Sequence, residues 1–242
     1  MNQASYFQEN PNFNYFQKYL REFVYGGVDG AITTFAVVAG AVGANLDSSI
    51  ILILGFANLF ADGFSMSIGA YLSSKTDKEN YFKYKNKEYW EVEHTPESEK
   101  KEIESIYRKK GFEGTLLQQV VEVIISDRER WVEQMMKEEL NMVLDKKNPQ
   151  LVGLATFLSF IVVGFIPLLM YVYDYFNPTS LNLFWIAGGL TAIAFLVIGG
   201  LKSLVNQTNI LKSMLESLGL GLAAALVAYY VGSFLEAVLL GS

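Results

Sequence analysis

The sequence predicts an all-α polytopic membrane protein, with five transmembrane helices and a three-helix cytoplasmic insert between the second and the third. Three observations predict it. The 242 residues are 51% hydrophobic with a mean hydropathy of +0.24, yet they include 19 basic and 25 acidic residues and carry a net charge of -6. These opposed properties are separated along the chain: 23–72 and 151–240 are dominated by apolar residues, whereas 73–150 holds most of the charge, the pattern of a membrane part and an aqueous insert. Every Lys and Arg also falls into one of three places: two before the first apolar stretch, fifteen between the second and third, and two near the fourth connection.

A bilayer core needs about 20 apolar residues per helix. Five stretches qualify: 23–45, 49–72, 151–173, 183–201 and 211–240. Residues 1–22 form a short N-terminal segment. They lack a basic stretch followed by an apolar core and a small-residue cleavage site, so no signal peptide is expected. Only "LDSS" joins the first two spans, which makes 23–73 an antiparallel hairpin. Basic residues accumulate on the cytoplasmic side. Lys18 and Arg21, the insert at 74–150, and Lys202 with Lys212 therefore face the cytoplasm, while "LDSS", "DYFNPTSLN" and the C-terminal "GS", which carry no Lys or Arg, face the other side. The remaining spans occupy 151–242. Gly26, Gly27, Gly40, Gly188, Gly189, Gly199 and Gly200 suit close helix packing. Pro167 interrupts the third span, which is tolerated only where protein or a water-lined cavity satisfies the freed backbone.

The spans are not wholly apolar. Asp29 stands between glycines in "VYGGVDGAITTF", and Asn58, Asp62 and Met66 follow at i, i+4 and i+8 along one stripe of the second span. The antiparallel hairpin brings Asp29 and Met66 to similar depth. Interfacial snorkelling of Asp29 and helix-gluing by Asn58 would account for them singly. As a set they form a cation path in which carboxylate oxygens replace hydration water and a thioether adds a softer contact, a mixture that suits a divalent transition metal.

The insert reads as helical. No Gly or Pro interrupts 71–94, so the second span is expected to continue as one long helix. Thr95-Pro96 has the form of an N-cap with Pro at N1, opening a helix through about Lys110 that ends at Gly111. "GTLLQQVVEVIIS" and "DRERWVEQMMKEELNMVL" supply a short helix and a longer one. Glu88 and Glu91, then Glu99 and Glu102, are i, i+3 pairs, and Met135 and Glu139 are i, i+4, so each pair presents two ligands on one face. Charge runs of this kind equally form a solvated face, and Met135-Met136 equally fills a core. With no cysteine, thiolate sites and disulfides are excluded. The single histidine, His94, reads as a surface or capping residue, and a di-iron centre built on paired Glu-x-x-His elements is not available.

Taken together, Asp29-Gly30, "FSMSIGAYLSSK", "WVEQMMKEEL", "VGFIPLL" and "IGGLKS" resemble the vacuolar iron transporter family of divalent-metal/proton antiporters, in its form with a cytoplasmic metal-binding domain. The resemblance spans roughly 21–240. It implies a homodimer with the ion path near the dimer interface, and an insert that gathers metal. It also implies metal ligands at Glu88, Glu91, Glu99, Glu102, Met135, Met136 and Glu139, and pathway residues at Asp29 and Met66. Where plant members carry a glutamate in span two, this chain has Asn58, and Asp62 stands one turn later, where those members have glycine. The expected function is export of Fe2+, and Mn2+ with it, from the cytoplasm in exchange for protons, by a protein that is not an enzyme. No permanent cofactor is expected, and Fe2+ or Mn2+ enters as the transported and domain-bound ion. The partners are a second copy, the lipid bilayer, divalent ions and protons, with no nucleic acid. The location is an integral, multi-pass one in a prokaryotic inner membrane, or in the vacuolar membrane if the source is eukaryotic. A membrane-anchored metal store or sensor, and a carboxylate-bridged oxidase, are the rival readings from other classes.

Overall fold

The computed structural model describes residues 11–239 and 241. Nine α-helices and one short 3-10 turn follow in order among them: α1 (Pro11–Gly43), α2 (Ser48–His94), α3 (Pro96–Lys109), α4 (Gly114–Ile125), α5 (Arg128–Glu138), α6 (Pro149–Gly164), the 3-10 turn (Ile166–Leu168), α7 (Leu169–Phe176), α8 (Leu183–Asn206) and α9 (Ile210–Leu239). The described residues hold no strand. They divide into two compact units: those up to Leu72 together with those from Lys147 on, and Ser73–Lys146. The long α2 runs through this boundary without a break, as the absence of Gly and Pro over 71–94 predicts.

The first unit contains five helical segments long and apolar enough to cross a membrane: Gln17–Gly43, the apolar part of α2, Pro149–Phe176, α8 and α9. Its outward surface is what a lipid solvent calls for. Phe60 and Phe64 on α2, and Leu226, Tyr230 and Phe234 on α9, are exposed large hydrophobics. Tyr175, Phe176 and Trp185 flank the connection from α7 to α8, where an aromatic belt would sit. Inside, α1 packs along α6, α8 and α9. The approach of α1 to α6 depends on missing side chains: a Cβ on Gly30 would stand 2.5 Å from the Phe160 carbonyl oxygen, and one on Gly164 would stand 2.8 Å from the carbonyl oxygen of Gly30. The Ser67 hydroxyl of α2 adds a hydrogen bond to the Gly153 carbonyl of α6 at 2.8 Å.

The helix ends follow from the sequence with two differences. Asn148, Asp127 and Asn182 accept from backbone N–H groups at the starts of α6, α5 and α8, as N-caps do. Thr95 does not cap α3. Its hydroxyl turns back to donate to the Glu91 carbonyl of α2 at 3.0 Å, and the first turn of α3 relies on Pro96 at N1. The expected long helix over 127–144 stops at Glu138, because Asn141 takes a left-handed conformation (φ 52) and the Leu140 and Met142 N–H groups fold back onto the carbonyls of Met135 and Met136. The third span is interrupted at Pro167, which supplies no N–H, and the backbone tightens into a 3-10 turn before resuming as α7.

In the second unit, Val92 of α2, Ile103 of α3, Leu117, Val121 and Ile124 of α4, and Trp131, Val132, Met135 and Met136 of α5 form one apolar core. The i, i+4, i+7 spacing on α4 places its three residues on a single stripe.

Replacing Gly30 with Val should therefore lower the thermal stability of the detergent-solubilised chain, by on the order of 2 kcal/mol from overpacking. Gly189→Ala, at a position with nothing within 4 Å of the added carbon, should leave it unchanged or raised. A thermal melt of the two variants checks this.

Candidate metal centre

The apolar core of the second unit explains why two glutamates, Glu88 and Glu99, are buried beside it, with the exposed Glu139 next to them. Glu88 stands one helical turn before Val92, Glu99 one turn before Ile103, and Glu139 one turn after Met135, so each extends the core-facing stripe of its own helix by one polar position. Glu88 is 1% exposed and Glu99 5%. Their carboxylate oxygens and that of Glu139 all lie within 4.8 Å of one another.

Several other acids of this unit have basic partners. Glu129 accepts from Lys85 at 2.5 Å and from the Tyr89 hydroxyl, Glu93 pairs with Arg128 at 2.7 Å, Glu138 with Lys110 at 2.5 Å, and Glu91 with Lys87 at 2.9 Å. Among the described residues, no ion pair holds Glu88, Glu99 or Glu139. The Oε2 atoms of Glu88 and Glu99 are buried and have no hydrogen-bond partner. Burial, with the charges of Glu139, Glu91 and Glu99 behind it, pushes the Glu88 carboxyl up to about 7. Burial and then the charges of Glu102, Glu91 and Glu139 push Glu99 to about 7 as well. Glu139 is raised by burial and by Glu102 and Glu91. Lys87 opposes all three shifts and is outweighed.

Two buried carboxylates with unpaired oxygens, beside the exposed carboxylate of Glu139, have two stable conditions, partial protonation or a shared cation. An all-oxygen donor set with no thiolate or imidazole suits a hard or borderline dication. Of the five glutamates that the sequence singles out, the structure brings Glu88, Glu99 and Glu139 together. Glu91 and Glu102 are half-buried and act on them electrostatically, with Glu91 engaged by Lys87. Met135 and Met136 are buried in the apolar core, the packing role that their pattern equally allowed. His94 is exposed and stacks on Trp90 with ring centroids 4.4 Å apart, outside the carboxylate group.

In the first unit, Asp29 of α1 is half-buried and Asp62 of α2 is exposed, and the two are close enough for their charges to interact. Met66 packs against the cluster of Val38, Ile51, Leu59 and Phe160, and the Asn58 Nδ2 is buried without a partner. One pair escaped the sequence reading: Glu22 of α1 accepts from Lys147 at 2.6 Å, with both side chains mostly buried. Its signal was the position of Glu22, seven residues and two turns before Asp29 on the same face.

Comparison with known proteins now adds an independent line. The sequence profile of the VIT family matches residues 20–233. A vacuolar iron transporter of Toxoplasma gondii is 35% identical over 228 residues, covering 91% of this chain and 75% of its own length. One of Plasmodium falciparum is 33% identical over 235 residues, covering 93% and 85% respectively. Vacuolar iron transporter 1 of Tulipa gesneriana is 29% identical over 222 residues, covering 90% and 88%.

The raised carboxyls give a pH dependence of definite sign. Between the ordinary glutamate value of 4.5 and about 7, the folded chain holds protons at Glu88 and Glu99 that the unfolded chain has released. Stability without metal should therefore fall as pH rises through that window. Melting temperatures of the metal-stripped protein at pH 5 and pH 7.5 should show this loss. Added Mn2+ should restore stability at pH 7.5 and do little at pH 5, where protons occupy the same oxygens.

Proposed function

Because the chain belongs to the VIT family, we propose that it moves Fe2+, and Mn2+ with it, out of the cytoplasm in exchange for protons. Metal-ion transport across a membrane is the activity of the family, and the chain is a multi-pass membrane protein rather than an enzyme. The observation that carries the finer reading is the Glu88, Glu99 and Glu139 group, whose oxygens lie within 4.8 Å of one another with two of them buried and unpaired. Such a group lowers its free energy by taking up a dication.

In this reading the insert gathers metal and the span unit carries it. Five spans, with the N-terminus and the insert on the cytoplasmic side, are supported by the length and hydropathy of the helices and by the placement of Lys and Arg. Asp29 and Asp62 bind the ion as it crosses, with Met66 and Asn58 on the same stripe of α2. Metal and proton compete for the same carboxylate oxygens, so a proton moving inward returns each acid to the state that the next ion displaces. Asp62 takes the part that the glutamate at the Asn58 position takes in plant members.

A homodimer fits this arrangement. Asp62 is exposed on an α2 surface that also shows Phe60 and Phe64, and a carboxylate facing lipid would be costly. A second copy seated there removes that cost and encloses the path.

Reconstituted into liposomes with an internal pH dye, the protein should move Fe2+ inward or outward with an opposing pH change. Asp29→Ala should abolish that flux by at least an order of magnitude while leaving metal binding by the insert intact. Replacing Glu88, Glu99 and Glu139 together with Ala should remove the tight Fe2+ heat signal in anaerobic calorimetry. Undiminished flux in Asp29→Ala, or flux with no pH change, would sink the antiport. Binding with no flux in the unaltered protein would mark a membrane-anchored store.

A further inference from the structure

One ion pair of the span unit is built unlike an ordinary surface bridge. Glu22 of α1 accepts from the Lys147 ammonium at 2.6 Å, and the two side chains are only 14% and 19% exposed. The second carboxylate oxygen of Glu22, Oε2, is buried and has no hydrogen-bond partner among the described residues. Such a pair is a weak way to hold helices together, because the desolvation of a carboxylate is offset only when its remaining lone pairs are also satisfied. An arginine fork would engage both oxygens. The compact ammonium of a lysine engages one, and its flexible stem lets it leave. In the Lys202 pair with Glu216, by contrast, the carboxylate side chain is 52% exposed and water serves what the lysine does not.

The place of the pair is a second observation. Glu22 and Asp29 are seven residues apart on the unbroken α1, so their side chains leave the helix within about 20° of one another. Glu22 stands about 10 Å nearer the start of the helix at the helical rise. Lys147 reaches it from 141–148, a segment without regular secondary structure that leads into α6 and in which Lys146 and Asn148 are exposed. The Asn148 N–H donates to the Tyr19 hydroxyl at 3.2 Å, which pins the backbone beside Lys147 to α1. With that backbone fixed and exposed residues on both sides, the ammonium can swing between Glu22 and water by side-chain rotation alone.

We propose that Lys147 is a specificity-determining residue of the transport path: its ammonium occupies Glu22 as a tethered cation, which a divalent ion displaces on its way to Asp29 and which Na+ or K+ does not. The reason is charge. The tether keeps the ammonium at a high effective concentration, and a monovalent ion offers the carboxylate no more than the ammonium already supplies. A dication has twice the Coulomb attraction to Glu22 and also engages the open Oε2. When the ion moves on, Lys147 returns, so Glu22 passes the ion inward without becoming a permanent trap. The role in transport rests on the proposed function, which places this end of α1 in the cytoplasm. Occupation of Glu22 by a dication does not depend on it.

The test measures Mn2+ flux in liposomes and melting in detergent for the full chain and for Lys147→Met, Lys147→Arg, Glu22→Gln and the exchanged pair Glu22→Lys with Lys147→Glu. Removing the tethered cation in Lys147→Met lowers the half-saturating Mn2+ concentration roughly tenfold. It also makes flux sensitive to NaCl, with choline chloride at equal ionic strength as the control. Lys147→Arg, whose fork takes both oxygens, raises the half-saturating concentration severalfold and keeps the melting temperature. The exchanged pair recovers the stability lost in Glu22→Gln and does not recover the flux. A purely structural bridge behaves otherwise: Lys147→Arg and the exchanged pair transport like the unaltered chain, and Lys147→Met loses stability with half-saturation and NaCl response unchanged. That pattern would overturn the proposal. Should the unaltered protein move no Mn2+, the transport reading fails separately, and melting still decides the site. Mn2+ then raises the melting temperature of Lys147→Met more than that of Lys147→Met with Glu22→Gln, and equal shifts in the two would mean that no dication takes the place of the ammonium.

Discussion

The interaction on which this structure turns is the repulsion between carboxylates that helix packing brings together at the edge of an apolar core, two of them buried. Glu88, Glu99 and Glu139 are held in place by the apolar residues one turn away on the same three helices, so they cannot separate without pulling Val92, Ile103 and Met135 out of their core. The hydrophobic effect sets the geometry and electrostatics supplies the need for a ligand. A solvated acidic face would relax by spreading its charges. Here Glu91, Glu93 and Glu138 already have lysine or arginine partners, and the group is left to be neutralised by protons or by a metal.

The same logic applies in a different solvent in the span unit. Asp29 and Asp62 interact across two helices joined by a turn of four residues, in a part of the chain whose surface is otherwise apolar. Glycines at Gly30 and Gly164 let α1 and α6 meet backbone to backbone, so the element that carries Asp29 is anchored by shape along its length and by the Glu22–Lys147 pair at one end. The hydroxyls of Thr156 and Thr191 bond to carbonyls of their own helices.

Much of this was legible in the sequence, because hydropathy and helical spacing are local properties. The apolar stretches, the unbroken run from span two into the insert, and the i, i+4 relation between Met135 and Glu139 all survive in the structure. What was not legible depends on contacts between segments far apart in sequence. Spacing marked Glu88 with Glu91 and Glu99 with Glu102 as equal pairs. Only the packing of α2, α3 and α5 around one core shows that the first member of each pair is buried while the second stays half-buried. The early end of α5 at Glu138 was hidden for another reason. Asn141 is an unremarkable residue in a helical pattern, and its left-handed conformation is dictated by how the chain leaves the core.

Asp62 shows how the two kinds of information combine. Sequence alone puts it on a stripe with Asn58 and Met66, and leaves open whether that stripe faces the protein or the lipid. The structure shows it exposed, which for a soluble helix would be ordinary and for a membrane helix is not. Its interaction with Asp29 means that the exposed surface and the inner carboxylate belong to one electrostatic unit. In the proposed path, covering that surface would also enclose Asp29 and Asp62. If a second copy provides the cover, dimerisation and selective passage become one requirement, because a monomer would leave the carboxylates open to lipid and headgroup cations along the whole length of α2.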